Sequence, residues 1–69
     1  MIRKRGFIKW FSRHKGYGFI QPEDGSNEVF VHFSAVAKDE SSELQQGIEV
    51  GYDEVDFGKG PQARNVRPC

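Results

Sequence analysis

The chain of 69 residues carries ten Lys/Arg, ten Asp/Glu and a single cysteine, Cys69. A chain of this length forms one small domain that buries about 60% of the surface its unfolded form exposes. The lone cysteine excludes an intramolecular disulfide and favours a reducing, cytoplasmic location. No stretch approaches the roughly 20 apolar residues of a membrane span, and the basic start MIRKRGFIKWF lacks a signal peptide's apolar run, so a soluble, unprocessed protein is expected.

Zero net charge conceals a sorted chain. Through Pro22 there are six cations and no carboxylate, residues 23–58 hold all ten carboxylates against Lys38 alone, and Lys59, Arg64 and Arg67 follow. Such sorting builds a basic face if the first strand lies beside the last; otherwise it is charge scattered over a solvated surface.

In chain order, residues 1–5 read as a basic extension and 6–12 as a first strand with Ile8 turned inward. Alternation groups Trp10 with Ile8, so only a twist or bulge would expose it. After a turn at Lys15-Gly16, residues 17–21 form a second strand with Tyr17, Phe19 and Gln21 on one face and Gly18 and Ile20 on the other. A linker of turn formers, Glu23-Asp24-Gly25-Ser26-Asn27, suits a hairpin. It leads to a third strand, 28–33, with Glu28, Phe30 and His32 opposite Val29 and Val31. Phe33 should follow Val29 and Val31 inward unless the strand bends or ends there. A short turn of helix is expected near 34–37, then an exposed loop to residue 46, because Val36 and Leu44 alone anchor that stretch. Residues 48–55 and 62–66 complete five strands, joined by the turn Gly58-Lys59-Gly60-Pro61, with 67–69 as a tail. Five short strands with tight turns make a small closed barrel or sandwich. Ile20, Val29 and Val31 suit its interior, together with Ile8, Val36, Val50 and Val66.

That assignment leaves Tyr17, Phe19, Phe30 and His32 on one outer face. Gly16 and Gly18 bracket Tyr17 as though something must approach the backbone closely. An exposed aromatic patch marks a binding site. Flat rings flanked by Lys9, Lys15 and Lys59 suit a single-stranded nucleic acid, whose bases stack while lysines neutralise phosphates.

The stretches GFIKWFSRHKGYGFIQ and EVFVHFSAV, continued by Leu44, Gly47, Val50 and GPQARNV, resemble the cold-shock domain of bacterial cold-shock proteins and eukaryotic Y-box proteins. KGYGFI and VFVHF look like that family's two ribonucleoprotein motifs. The resemblance covers nearly the whole chain, 6–66. It implies an all-β, five-stranded antiparallel barrel of the oligonucleotide-binding (OB) fold in a single domain, 1–69. The activity it implies is low-selectivity binding of single-stranded RNA and DNA, with RNA chaperoning or antitermination as the usual role. Carried over, the binding surface is Lys9, Trp10, Lys15, Tyr17, Phe19, Phe30, His32, Phe33 and Lys59, with Phe11 at its margin. Trp10, Phe19, Phe30, His32 and Phe33 would stack on bases, and the lysines would meet phosphate or a base edge.

Lys15–Phe19 also satisfies the opening of the RNA recognition motif. Against that family, Pro22 stands where its motif ends in an aromatic, the two motifs come in reverse order, and no pair of helices is present. The chain departs from the cold-shock pattern as well. No ring lies between Ala37 and Gln46, where the family usually has one, and Asp39, Glu40 and Glu43 make that loop acidic. Phe57 stands where a polar or small residue is common and reads as a turn-covering contact or a substitute ring. Phe7 is usually polar, and Ser12 replaces a common asparagine.

An enzyme is disfavoured: Ser, His and Asp occur without a pocket to assemble them. His14, His32 and a terminal Cys69 offer no zinc-like spacing, so neither metal nor cofactor is expected. Gly58-Lys59-Gly60 lacks the spacing and helix of a phosphate-binding loop. A monomer without a small-molecule substrate is expected; a peptide-binding module on the same barrel is the alternative.

Overall fold

A computed structural model describes residues 2–36, 45–56 and 58–69. The strands are β1 (Ile2–Ser12), β2 (Tyr17–Pro22), β3 (Val29–His32), β4 (Glu49–Asp56) and β5 (Pro61–Pro68), with a 3-10 turn at Phe33–Ala35 after β3. They close into a barrel in the order β1-β2-β3-β5-β4.

Alternation sorts the side chains as expected. Ile8, Ile20, Val29, Val31, Val36, Val50 and Val66 all lie in the buried cluster, joined by Tyr52 and Ala63. Tyr52 follows Val50 by two residues and so shares its inward face. Its hydroxyl has no hydrogen-bond partner among the described residues, and burial pushes its pKa up.

Two expectations need correction. The barrel is not wholly antiparallel, because β3 and β5 pair in parallel through Phe30↔Gln62 and Val31↔Ala63. The reason is parity: an odd number of strands in a closed ring cannot alternate direction all the way round. With β1 antiparallel to both β2 and β4, and these antiparallel to β3 and β5, β3 and β5 must run the same way.

The second correction concerns the ends of the chain. Residues 2–5 are not an extension, since β1 begins at Ile2 and pairs with β4 from Ile2↔Glu54 to Phe7↔Glu49. Nor do 67–68 form a tail, since Arg67 pairs with Gly51 and Pro68 with Val50. Residues 2–5 lack the apolar alternation of a strand. Arg3 and Lys4 meet carboxylates on β4, Arg3 Nη1 lying 3.5 Å from Asp53 Oδ1 and Lys4 Nζ 3.3 Å from Glu54 Oε1.

Candidate nucleic-acid interface

The outer face of β1, β2 and β3 is built by cross-strand register. Tyr17 lies opposite His32 and Phe19 opposite Phe30, so their side chains share the surface away from Ile20, Val29 and Val31. Trp10 joins them through a bulge. Two steps along β1, from Ile8 to Trp10, answer a single step along β2, from Ile20 to Phe19. The extra residue, Lys9, reverses the alternation, so Trp10 is 36% exposed although Ile8 is buried.

The rings form a closed four-membered patch. Trp10 lies 5.5 Å from both Tyr17 and Phe19 between ring centroids, Tyr17 lies 5.7 Å from Phe30, and Phe19 lies 5.8 Å from Phe30. Phe33 escapes the core because β3 stops at His32. The backbone enters the 3-10 turn, the Phe33 N–H donates to Gly16 O (2.8 Å), and the ring is 44% exposed. His32 caps that turn, its Nδ1 accepting from the Ser34 N–H at 3.1 Å and lying 2.8 Å from Ser34 Oγ. With Nδ1 an acceptor, the neutral ring carries its proton on Nε2, which has no partner among the described residues.

Gly18 is required by the barrel itself. A Cβ there would come within 2.4 Å of Trp10 O and 2.7 Å of Phe11 Cα, so the close approach inferred at this position is that of β1. Phe11 pairs with Gly18 and packs against the buried cluster, away from the four-ring patch.

The lysines differ in setting. Lys9 is engaged with Glu28 in an exposed ion pair, an interaction worth about 0–1 kcal/mol and exchangeable for another anion. Lys15 lies exposed in the turn that Ser12 fastens by accepting the Lys15 N–H at 3.1 Å. Lys59 is exposed in the turn leading into β5. The expectations for Asp39, Glu40, Glu43 and Phe57 fall outside the described residues. Gln62 was not singled out from sequence: it lies beside Phe30 only through the parallel pairing of β3 and β5, and no local pattern announces a partner on a distant strand. No cluster of His, Cys, Asp and Glu that could hold a metal occurs among the described residues, and no described helix is long and apolar enough to cross a membrane.

A closed five-stranded barrel with rings gathered outside the core defines a small β-barrel binding module. The 'Cold-shock' DNA-binding domain family matches residues 4–69. Cold shock protein 1 of Lactiplantibacillus plantarum is 54% identical over 65 residues, spanning 94% of this chain and 97% of that protein. Cold shock-like protein CspE of Escherichia coli is 47% identical over 66 residues, spanning 96% of each. Among solved structures, drosophila Unr CSD456 superposes with a TM-score of 0.82 at 24% identity; the match covers 99% of this chain but 27% of that one, and bears on the fold alone. The chain belongs to the cold-shock domain family, whose members bind nucleic acid and are not enzymes.

Proposed function

We propose that this protein binds single-stranded RNA and DNA with low sequence selectivity by stacking bases on its outer aromatic face. Trp10, Phe19, Phe30, His32 and Phe33 receive bases, Tyr17 completes the patch, and Lys9, Lys15 and Lys59 neutralise phosphates. Gln62, beside Phe30, offers an amide to a base edge. The observation that carries this reading is the four-ring patch on the solvent side of a barrel whose core is already filled. Rings spent outside the core add little to stability, whereas each stacked base contributes about 1–3 kcal/mol.

Binding only unpaired strands shifts the pairing equilibrium of RNA by mass action, without ATP, which is how a cytoplasmic monomer of this kind acts as an RNA chaperone or antiterminator. Trp10 is the sole tryptophan, so its fluorescence reports directly on the face. Titration with a pyrimidine-rich DNA strand should quench it strongly, less so at high salt, and not at all with the duplex. Absence of quenching at low salt would reject the proposal in favour of a peptide-binding barrel.

A further inference from the structure

The opposite wall, formed by β1, β4 and β5, carries a groove of about 540 Å³ lined by Arg3, Arg5, Gly51 and Arg67 together with Glu23, Asp24 and Cys69. Arg5, Gly51 and Arg67 are register partners on three adjacent strands, so their outward faces form one row. With strands about 4.8 Å apart, the Arg5 and Arg67 backbones lie about 10 Å from each other, and both side chains reach the space over Gly51. Arg3 extends into that space as well: a Cβ on Gly51 would lie 3.1 Å from Arg3 Nη2. Glycine within a strand is unfavourable unless something approaches closely, and here the missing side chain makes room for a guanidinium.

The carboxylates nearby are largely engaged. Asp24 pairs with Lys4 at 3.3 Å and accepts the Ser26 N–H at 2.9 Å. Asp53 accepts from Asn65 Nδ2 at 2.8 Å and pairs with Arg3 at 3.5 Å. Among the described residues Arg5 and Arg67 have no carboxylate within 4 Å, which leaves two arginines without an ion pair in a groove whose acidic side chains are Glu23 and the already paired Asp24. Among the described residues no aromatic side chain lines the groove, whereas guanidinium forks match phosphate oxygens in bidentate fashion.

We infer that this groove is a second nucleic-acid contact, holding backbone phosphates of the single strand after it leaves the aromatic face. The inference rests on the proposed function for its ligand. The path is short, because β1 carries both sites. It pairs with β4 through its N-terminal half and with β2 through its C-terminal half, in a barrel measuring 27 × 21 × 17 Å. Arg5 and Trp10 are therefore about 17 Å apart along one strand.

The test compares a thymidine oligonucleotide of about six residues, enough for one OB barrel, with the same oligonucleotide extended at either end by abasic nucleotides, which supply phosphates without bases. For the natural chain at low salt, the tail at one end should tighten binding about tenfold and steepen the logarithmic salt dependence by about 1.4, the value for two phosphates on a single strand. Arg5→Gln/Arg67→Gln, which leaves the Arg3–Asp53 pair in place, should abolish the gain while keeping affinity for the untailed strand within about twofold. Alkylation of Cys69 by N-ethylmaleimide supplies a readout of position, and the tailed strand should slow it where the untailed one does not. A tail effect that survives the double substitution, or unprotected Cys69, overturns the inference. If the untailed strand fails to bind, the aromatic-face proposal falls instead, and protection of Cys69 by a wholly abasic strand still decides for or against the groove.

Discussion

Two walls of one barrel share a core and differ in what they show to solvent. The β1–β2–β3 wall gathers four rings, each within 6 Å of two others, with Lys9 on β1 and Lys15 in the turn between β1 and β2. The outward cations of the β1–β4–β5 wall are arginines, with Arg3 lying across Gly51 and bonded to Asp53 and the Asn65 carbonyl. The difference teaches that the outside of a small barrel is free to specialise once the inside is filled. Rings at the surface and charges paired across strands contribute modestly to stability, so what they recognise is free to differ.

The largest effect that could break this comparison belongs to neither wall. Ile20 is fully buried, and Ile20→Ala should destabilise the fold by about 2–5 kcal/mol, read as a large drop in thermal midpoint. A small drop would mean that the core does not carry both walls.

On the aromatic wall the order of effects reverses. Phe19→Ala or Phe30→Ala should each weaken binding to a single strand by about 1–3 kcal/mol, with a stability loss nearer 1 kcal/mol from the lost ring pairs. Calorimetric titration beside thermal unfolding separates the two. Stability losses equal to that of Ile20→Ala would assign these rings to the core.

On the charged wall the test residue is Asn65. Two steps along β4, from Gly51 to Asp53, answer three along β5, from Arg67 to Arg64, and Asn65 absorbs the extra residue with a φ of 52°. Asparagine tolerates this left-handed conformation and also holds Asp53. Asn65→Ala should therefore cost about 1 kcal/mol, and Asn65→Gly less, because glycine restores the backbone but not the side-chain bond; chemical denaturation gives the order.

The smallest effect is on acid stability. The Asp24 carboxyl is held down at about 2, first by the Ser26 hydroxyl, then by the Ser26 N–H and Lys4. Asp53 is lowered in the same sense, first by Asn65 and then by Arg3. A carboxyl depressed in the folded state stabilises the fold above its unfolded pKa, and the contribution is lost as pH falls through the folded value. For Asp24 the loss runs from about pH 4 down to about pH 2. Carboxyl titration followed by NMR should place its midpoint near the lower end, and Ser26→Ala should move it back toward the ordinary range. Exposure keeps the effect on stability small.

Much of the aromatic wall was legible in the sequence. Period-two alternation separates Phe19, Phe30 and His32 from Ile20, Val29 and Val31 without knowledge of any partner strand, because adjacent side chains in a strand must point to opposite faces. Trp10 was legible only as a condition. Its exposure depends on where β1 gains a residue relative to β2, and that is a property of the pair. The charged wall was hardly legible at all, since residues 2–5 become a strand only when β4 supplies the opposing backbone and carboxylates.

The local pattern of the chain thus determined the aliphatic part of the interior, how many strands there are, and the family whose motifs they spell, but not the burial of Tyr52 and Ala63. Closure decided the rest. Five strands in a ring force one parallel pair, and that pairing alone brings Gln62 beside Phe30. The register of β1 on β4 and of β4 on β5 sets two arginines either side of Gly51. The physical reason is one of range: side-chain alternation is a property of consecutive residues, whereas register, bulges and neighbours across the barrel exist only once backbone groups far apart in sequence have paired.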